Sequence, residues 1–133
     1  MELIKRSPTV REYQRLRAAV GWRKLEARTA AKALRNSIFS VCAVSAGKVV
    51  GYGRVIGDGA LYFYIQDVIV HPEYQGKGLG RLIMDGIMAH LDSRAPGKSL
   101  IGLMAAKNVG GFYKKYGFKE RPKDSPGMFK RTP

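Results

Sequence analysis

The sequence predicts a mixed α+β fold, with a largely antiparallel, twisted sheet of six or seven strands and about four helices; three observations predict it. Residues 38–44 and 49–56 are apolar and rich in β-branched side chains, and the four residues between them make a turn short enough to join antiparallel neighbours. Residues 61–70 form a third such run, which ends at Pro72 and passes through Gly76, Gly78 and Gly80 into the amphipathic series Leu79, Leu82, Ile83, Ile87 and Leu91. Residues 100–104 follow that helix, so they return as a strand parallel to the one before it, and two parallel neighbours can splay apart.

The remaining elements follow in order. Residues 1–5 make a short first strand, and Ser7-Pro8 supplies an N-cap with proline at the first helical position. Val10, Tyr13, Leu16, Arg17 and Val20 then recur near helical spacing up to Gly21, which suits the end of a helix. Residues 25–36 form a second helix with a basic outer surface. Gly57-Asp58-Gly59 turns the third strand into the fourth. Residues 107–118 hold a short helix closed by Gly117, and residues 118–120 and 128–130 can pair at the end of the sheet. Neither a repeat nor a linker divides the chain, so residues 1–133 read as one domain.

Composition excludes several classes. A chain of 133 residues with 45% apolar content can bury a core without disulfides or metal. No run approaches the ~18 apolar residues of a membrane span. The N-terminal MELIKRSP lacks the apolar core of a signal peptide, and a cytoplasmic protein is the expectation. The one cysteine, Cys42, lies in an apolar strand and reads as a core thiol, with no second cysteine for a disulfide or metal site. Twenty-four Lys and Arg against ten Asp and Glu give a net charge of +14, enough to attract anions. The basic residues are scattered and form no nucleic-acid reading motif, so nucleic acid is not the expected partner.

The glycine-rich turn at 76–80 is where the chemistry concentrates. The first N–H groups of a helix lack intrahelical partners and sit at its positive end, so glycines there let an anion approach bare backbone, with Lys77 and Arg81 adding charge. The rhythm is neither GxGxxG nor a P-loop, since Lys77 is followed by glycine. Gln75, Gly78 and Gly80 instead match Q-x-x-G-x-G. With the preceding VIVHPEY, this stretch resembles motif A of the GCN5-related N-acetyltransferase (GNAT) family. Residues 108–118, NVGGFYKKYGF, resemble a second signature of that family, N-x-x-x-F-Y-x-x-x-G-F.

The resemblance implies an acetyl-CoA-dependent N-acetyltransferase that acts by direct attack of a primary amine on the thioester, with no metal. It implies that the backbone of Val68, Ile69 and Val70 pairs with the pantetheine arm, and that Gln75, Gly76, Lys77, Gly78, Leu79, Gly80 and Arg81 receive the pyrophosphate. Asn108 matches a family side chain that contacts the coenzyme. Tyr113 matches the tyrosine that protonates the departing thiolate, with Tyr116 as its fallback. The amide near Val68 is the expected oxyanion donor. The family also implies an acceptor pocket beside the loop between the first two helices, which makes Trp22 a candidate wall. Tyr62 and Tyr64, on one face of their strand by alternation, are candidates beside it.

A lysine-like amine, with a pKa of ~10.4, must lose a proton before it attacks. Asp67 is the carboxylate within the apolar strand run and is costly there unless used or paired, which makes it the first candidate base, with Glu73 second. Strict alternation puts Asp67 on the opposite face from Val68 and Val70 unless a bulge intervenes. His71 reads as a loop residue and His90 as structural. The acceptor expected is a small-molecule amine; a peptide amine, or a module that senses acyl-CoA without turnover, is the alternative. Membership in the family also brings a homodimer into consideration.

Overall fold

A computed structural model describes residues 1–133. The chain groups into two compact units, Met1–Leu103 and Met104–Pro133. The first holds β1 (Glu2–Ile4), α1 (Val10–Ala19), α2 (Ala27–Arg35), β2 (Phe39–Ser45), β3 (Lys48–Gly57) and β4 (Tyr62–Val70). A single 3-10 turn at Pro72–Tyr74, then α3 (Leu79–Arg94) and β5 (Leu100–Gly102), complete it. The five strands lie in the order β1-β2-β3-β4-β5, and only the β4–β5 pair is parallel.

The sheet therefore has five strands, not six or seven. Residues 118–120 and 128–130 form no strand: Pro122, Pro126 and Gly127 interrupt the segment between them, and Met128 and Phe129 are 89% and 71% exposed, with no face to bury. The second unit holds one regular element, α4 (Gly110–Lys114).

Local chemistry explains the elements. Ala46 and Gly47 both have positive φ (48° and 78°), the two-residue geometry whose twist matches the strands it joins, and Ser45 pairs with Lys48 across it. Helix α1 begins two residues later than Ser7-Pro8 suggests. Thr9 is its cap: the Thr9 hydroxyl accepts from the Glu12 N–H at 3.1 Å, and the Glu12 carboxylate accepts from the Thr9 N–H at 2.8 Å. Arg6, 3.0 Å from the same carboxylate, reinforces the box.

Helices cover both faces of the sheet. On one, Tyr13 and Leu16 of α1 and Ala30 and Leu34 of α2 pack with Cys42, Val49, Tyr52 and Ile69. On the other, α3 buries Leu79, Ile83, Met84, Ile87 and Leu91, each worth roughly 1.5–3 kcal/mol against exposure. The approach is close because β3 has a glycine under the helix. A Cβ on Gly53 would lie 2.7 Å from Ile83 Cγ2 and 2.9 Å from Ile87 Cδ1. Cys42 is buried in the core, as its apolar setting predicts. No helix is long and apolar enough to cross a membrane.

Candidate active site

The central feature is an edge of β4. Strand β5 pairs with only the first three residues of β4, Tyr62 opposite Leu100, Phe63 opposite Ile101 and Tyr64 opposite Gly102. From Ile65 to Val70 the side of β4 turned away from β3 therefore has no β5 partner. On the β3 side the register shifts: Tyr52 opposes Ile69, yet Arg54 opposes Gln66, so Gly53 alone faces both Asp67 and Val68. This is a β-bulge, and Asp67 takes a left-handed φ of 58° within it. The extra residue turns Val68 to the α3 face, where its Cγ2 would lie 3.7 Å from a Cβ on Gly53. It leaves Asp67 and Ile69 on the α1/α2 face.

The strand delivers the chain to the glycine loop. Gln75, expected at the pyrophosphate, donates its side-chain amide to the Val70 carbonyl at 3.0 Å and so ties the loop to the strand end. His71 accepts from the Glu73 N–H at 3.2 Å through Nδ1, a turn role in keeping with its reading as a loop residue. Gly78 is the N-cap of α3 with φ of 81° and no side-chain cap, and the first bond of the helix is Leu82 N–H to the Gly78 carbonyl at 3.1 Å. The amides of the first turn thus precede the helical ladder. A Cβ at Gly76 or Gly78 would meet no atom within 4 Å, so packing does not require glycine there; their positive φ does, and the space beside them is open. Lys77 Nζ lies 5.4 Å from the centre of the Tyr74 ring. Open strand edge, open glycine turn and positive helix end together suit an extended ligand with an anionic end.

Asp67 is enclosed. Its carboxylate accepts from the Tyr13 hydroxyl at 2.6 Å, from Arg54 Nε at 2.9 Å and from Gln66 Nε2 at 3.1 Å, and its side chain is 1% exposed. Arg54 Nη1 also donates to the Ala33 carbonyl at 3.0 Å. Burial, and then the bond to Asp67, push the Tyr13 phenol up to about 12, so it stays protonated and donating. Arg54 and Tyr13 do not figure as site residues in the sequence reading. The signal for Arg54 was present, a single cation inside the apolar run VVGYGRVIG; Tyr13 reads simply as an apolar-face residue of α1. Glu73, the second candidate base, is exposed just past the end of β4.

Trp22 is 40% exposed, and the Arg17 guanidinium lies 5.4 Å from its ring and 5.5 Å from that of Tyr13. Tyr62 is 61% exposed and Tyr64 half-buried. In the second unit, Tyr113 lies on α4 among aromatic rings, 5.1 Å from Phe112 and 6.3 Å from Phe118 between centroids. Burial raises its phenol pKa and keeps it protonated. Asn108, before the helix, takes a left-handed φ of 66°. His90 stacks on Phe39 at 3.9 Å, and burial with nearby Arg94 and Lys5 lowers its pKa, as befits a structural residue.

Residues 35–120 match the Acetyltransferase (GNAT) domain family. An uncharacterized N-acetyltransferase of the red alga Pyropia yezoensis is 34% identical over 122 residues, which cover 89% of this chain and 69% of that one. Serotonin N-acetyltransferase 2, chloroplastic, of rice is 43% identical over 84 residues, 63% of this chain and 41% of the rice protein. The crystal structure of a probable acetyltransferase from Staphylococcus aureus superposes with a TM-score of 0.91 at 33% identity, covering 98% of both chains.

Proposed function

The chain belongs to the GNAT acetyltransferase family, and from that premise we propose that it transfers an acetyl group from acetyl-CoA to the primary amine of a small molecule by direct attack on the thioester. The observation that carries this reading is the β4 edge, without a β5 partner from Ile65 to Val70, running directly into the open glycine turn at the start of α3. When bound, acetyl-CoA supplies the activated acyl group. The chain's own residues do the rest. Of Val68, Ile69 and Val70, which the family would pair with the pantetheine arm, Val68 and Val70 turn their main-chain groups to the edge away from β3, while Ile69, opposite Tyr52 and two residues before His71, whose N–H reaches the Val50 carbonyl, turns its own to β3. Gly76 to Arg81 present amides and positive charge to the pyrophosphate, while Gln75 holds the loop against Val70. Tyr113, kept protonated by burial, matches the family tyrosine that protonates the departing thiolate, and Asn108 matches the family side chain that contacts the coenzyme; these are the roles proposed for them.

The charge of the protein bears on the acceptor. An amine must be neutral to attack, and a field from +14 lowers its pKa while repelling polycations. A small amine carrying one charge, with an aromatic body for Trp22, Tyr62 and Tyr64, fits these conditions better than a polyamine or a lysine-rich peptide. Serotonin, the compound in the rice relative's name, is of this class. Thiol release measured across arylalkylamines, polyamines, aminoglycosides and peptides tests the reading: turnover is expected with single-charge amines. Acetyl-CoA binding without thiol release for any amine would instead make the protein a sensor.

A further inference from the structure

We propose that Asp67, clamped by Arg54 and Tyr13, is a positioning residue that fixes the β4 bulge and thereby aims the strand edge at the thioester, and that it is not the base for the acceptor amine. The inference rests on the acetyl-transfer reading above. Three observations converge on it. Asp67 is a non-glycine residue at φ of 58°, a conformation that must be held by its surroundings. Its carboxylate does not face open space; it accepts from a hydroxyl, a guanidinium and an amide, and its side chain is 1% exposed. Those donors come from α1, from β3 and from the neighbouring residue, so the network ties the bulge both to the strand beside it and to the helix above it.

The energetics agree with a geometric role. A buried ion pair adds little net stability compared with an apolar replacement, since desolvation offsets the attraction, but removing one partner leaves an uncompensated charge. What such a pair secures is one arrangement among several. Here the alternative is a regular strand, in which Asp67 would oppose β3 one to one and every residue from Val68 onward would change faces. That slip would turn Val68 and Val70 from α3 toward α1 and reverse which amides point to the open edge. The groups facing Asp67 from the packed elements are Tyr13, Arg54 and Gln66, with Arg17 Nη1 donating to the Tyr13 hydroxyl at 3.4 Å.

Tyr13→Phe tests the clamp without touching the carboxylate. Acetyl-CoA affinity by calorimetry, the pH profile of kcat and the melting temperature are measured for wild type, Tyr13→Phe, Asp67→Asn and Asp67→Glu. Displaced geometry predicts that Tyr13→Phe weakens kcat/KM about 10-fold to 100-fold, with an unchanged pH profile. Asp67→Asn should do the same, and Asp67→Glu should fail to rescue, because its longer side chain cannot sit in the clamp. Rescue by Asp67→Glu, with a lost limb of the pH profile in Asp67→Asn and full activity in Tyr13→Phe, would make Asp67 the base and overturn the proposal. Lower melting temperatures with rates and affinity intact would reduce the network to stability alone and overturn it too. A wild-type protein that binds no acetyl-CoA would overturn the transfer reading and this inference together, a result distinct from any seen only in the variants.

Discussion

At the scale of single residues, two glycines that look alike in the sequence do different work. Gly53 is small because α3 lies on it: Gly53→Ala would push into Ile83 and Ile87, at 2.7 and 2.9 Å, and overpacking of this kind typically costs about 1–3 kcal/mol. Gly78 has open space around it and is fixed by its φ of 81°. Gly78→Glu carries a backbone strain of about 1–2 kcal/mol at that φ, less than the stability of a typical domain, and should leave a folded protein that no longer binds acetyl-CoA, since it adds bulk and negative charge at the proposed pyrophosphate site. Denaturant melts and calorimetry on both variants check the pair. Full affinity in Gly78→Glu would remove the loop from the binding site. Tyr113→Phe makes a separate test: the ring still packs, and only the acidic proton is lost. General acid catalysis contributes ~10²-fold or more, so kcat and kcat/KM should fall together by about that factor while the Kd for acetyl-CoA holds. If Tyr116→Phe carries the loss instead, the acid lies one helical turn later.

At the scale of elements, the start of α1 separates what a sequence can show from what it cannot. Ser7-Pro8 has the local form of a helix start, but the capping box closes on Thr9, where Glu12 also meets Arg6. Thr9→Ala should cost about 1 kcal/mol and Ser7→Ala almost nothing, measured as midpoint shifts in urea; the reverse order would return the cap to Ser7. The meander β2-β3-β4, the short turn between its first two strands and the start of α3 at the glycine loop were all legible, because each rests on residues close together in the chain; that Ser45 and Lys48 pair and leave only Ala46-Gly47 in the turn was not. Nor was the bulge. It depends on Arg54, thirteen residues before Asp67 and on another strand, and on Tyr13, fifty-four residues before it. Alternation alone could say only that Asp67 would face away from Val68 unless the strand were interrupted. The last two strands were read from two three-residue segments, Phe118-Lys119-Glu120 and Met128-Phe129-Lys130, whose few apolar side chains and exposed, proline-bounded surroundings give them nothing to pack against.

At the scale of the molecule, the charge makes a prediction with opposite signs for the two proposed substrates. Acetyl-CoA is an anion and the protein carries +14, so attraction should speed encounter at low salt and fade as salt rises. The screening length falls from about 30 Å at 0.01 M to about 8 Å at 0.15 M, which takes the reach of the field from molecular size to the immediate neighbourhood of each charge. The kcat/KM for acetyl-CoA should therefore decrease over that range. For a polyamine acceptor the same field is repulsive, so its kcat/KM should increase, while a single-charge arylalkylamine should change much less. Lys77→Ala and Arg81→Ala remove cations beside the glycine loop, and they should flatten the acetyl-CoA dependence without altering the acceptor slopes. Steady-state rates at four salt concentrations with each acceptor decide the matter. If polyamine turnover falls with salt as acetyl-CoA turnover does, the mouth of the acceptor site is locally negative despite the net charge. In that event the acidic residues on the exposed surface, Glu73 first among them, would set acceptor choice, and polycations would return as the preferred substrates.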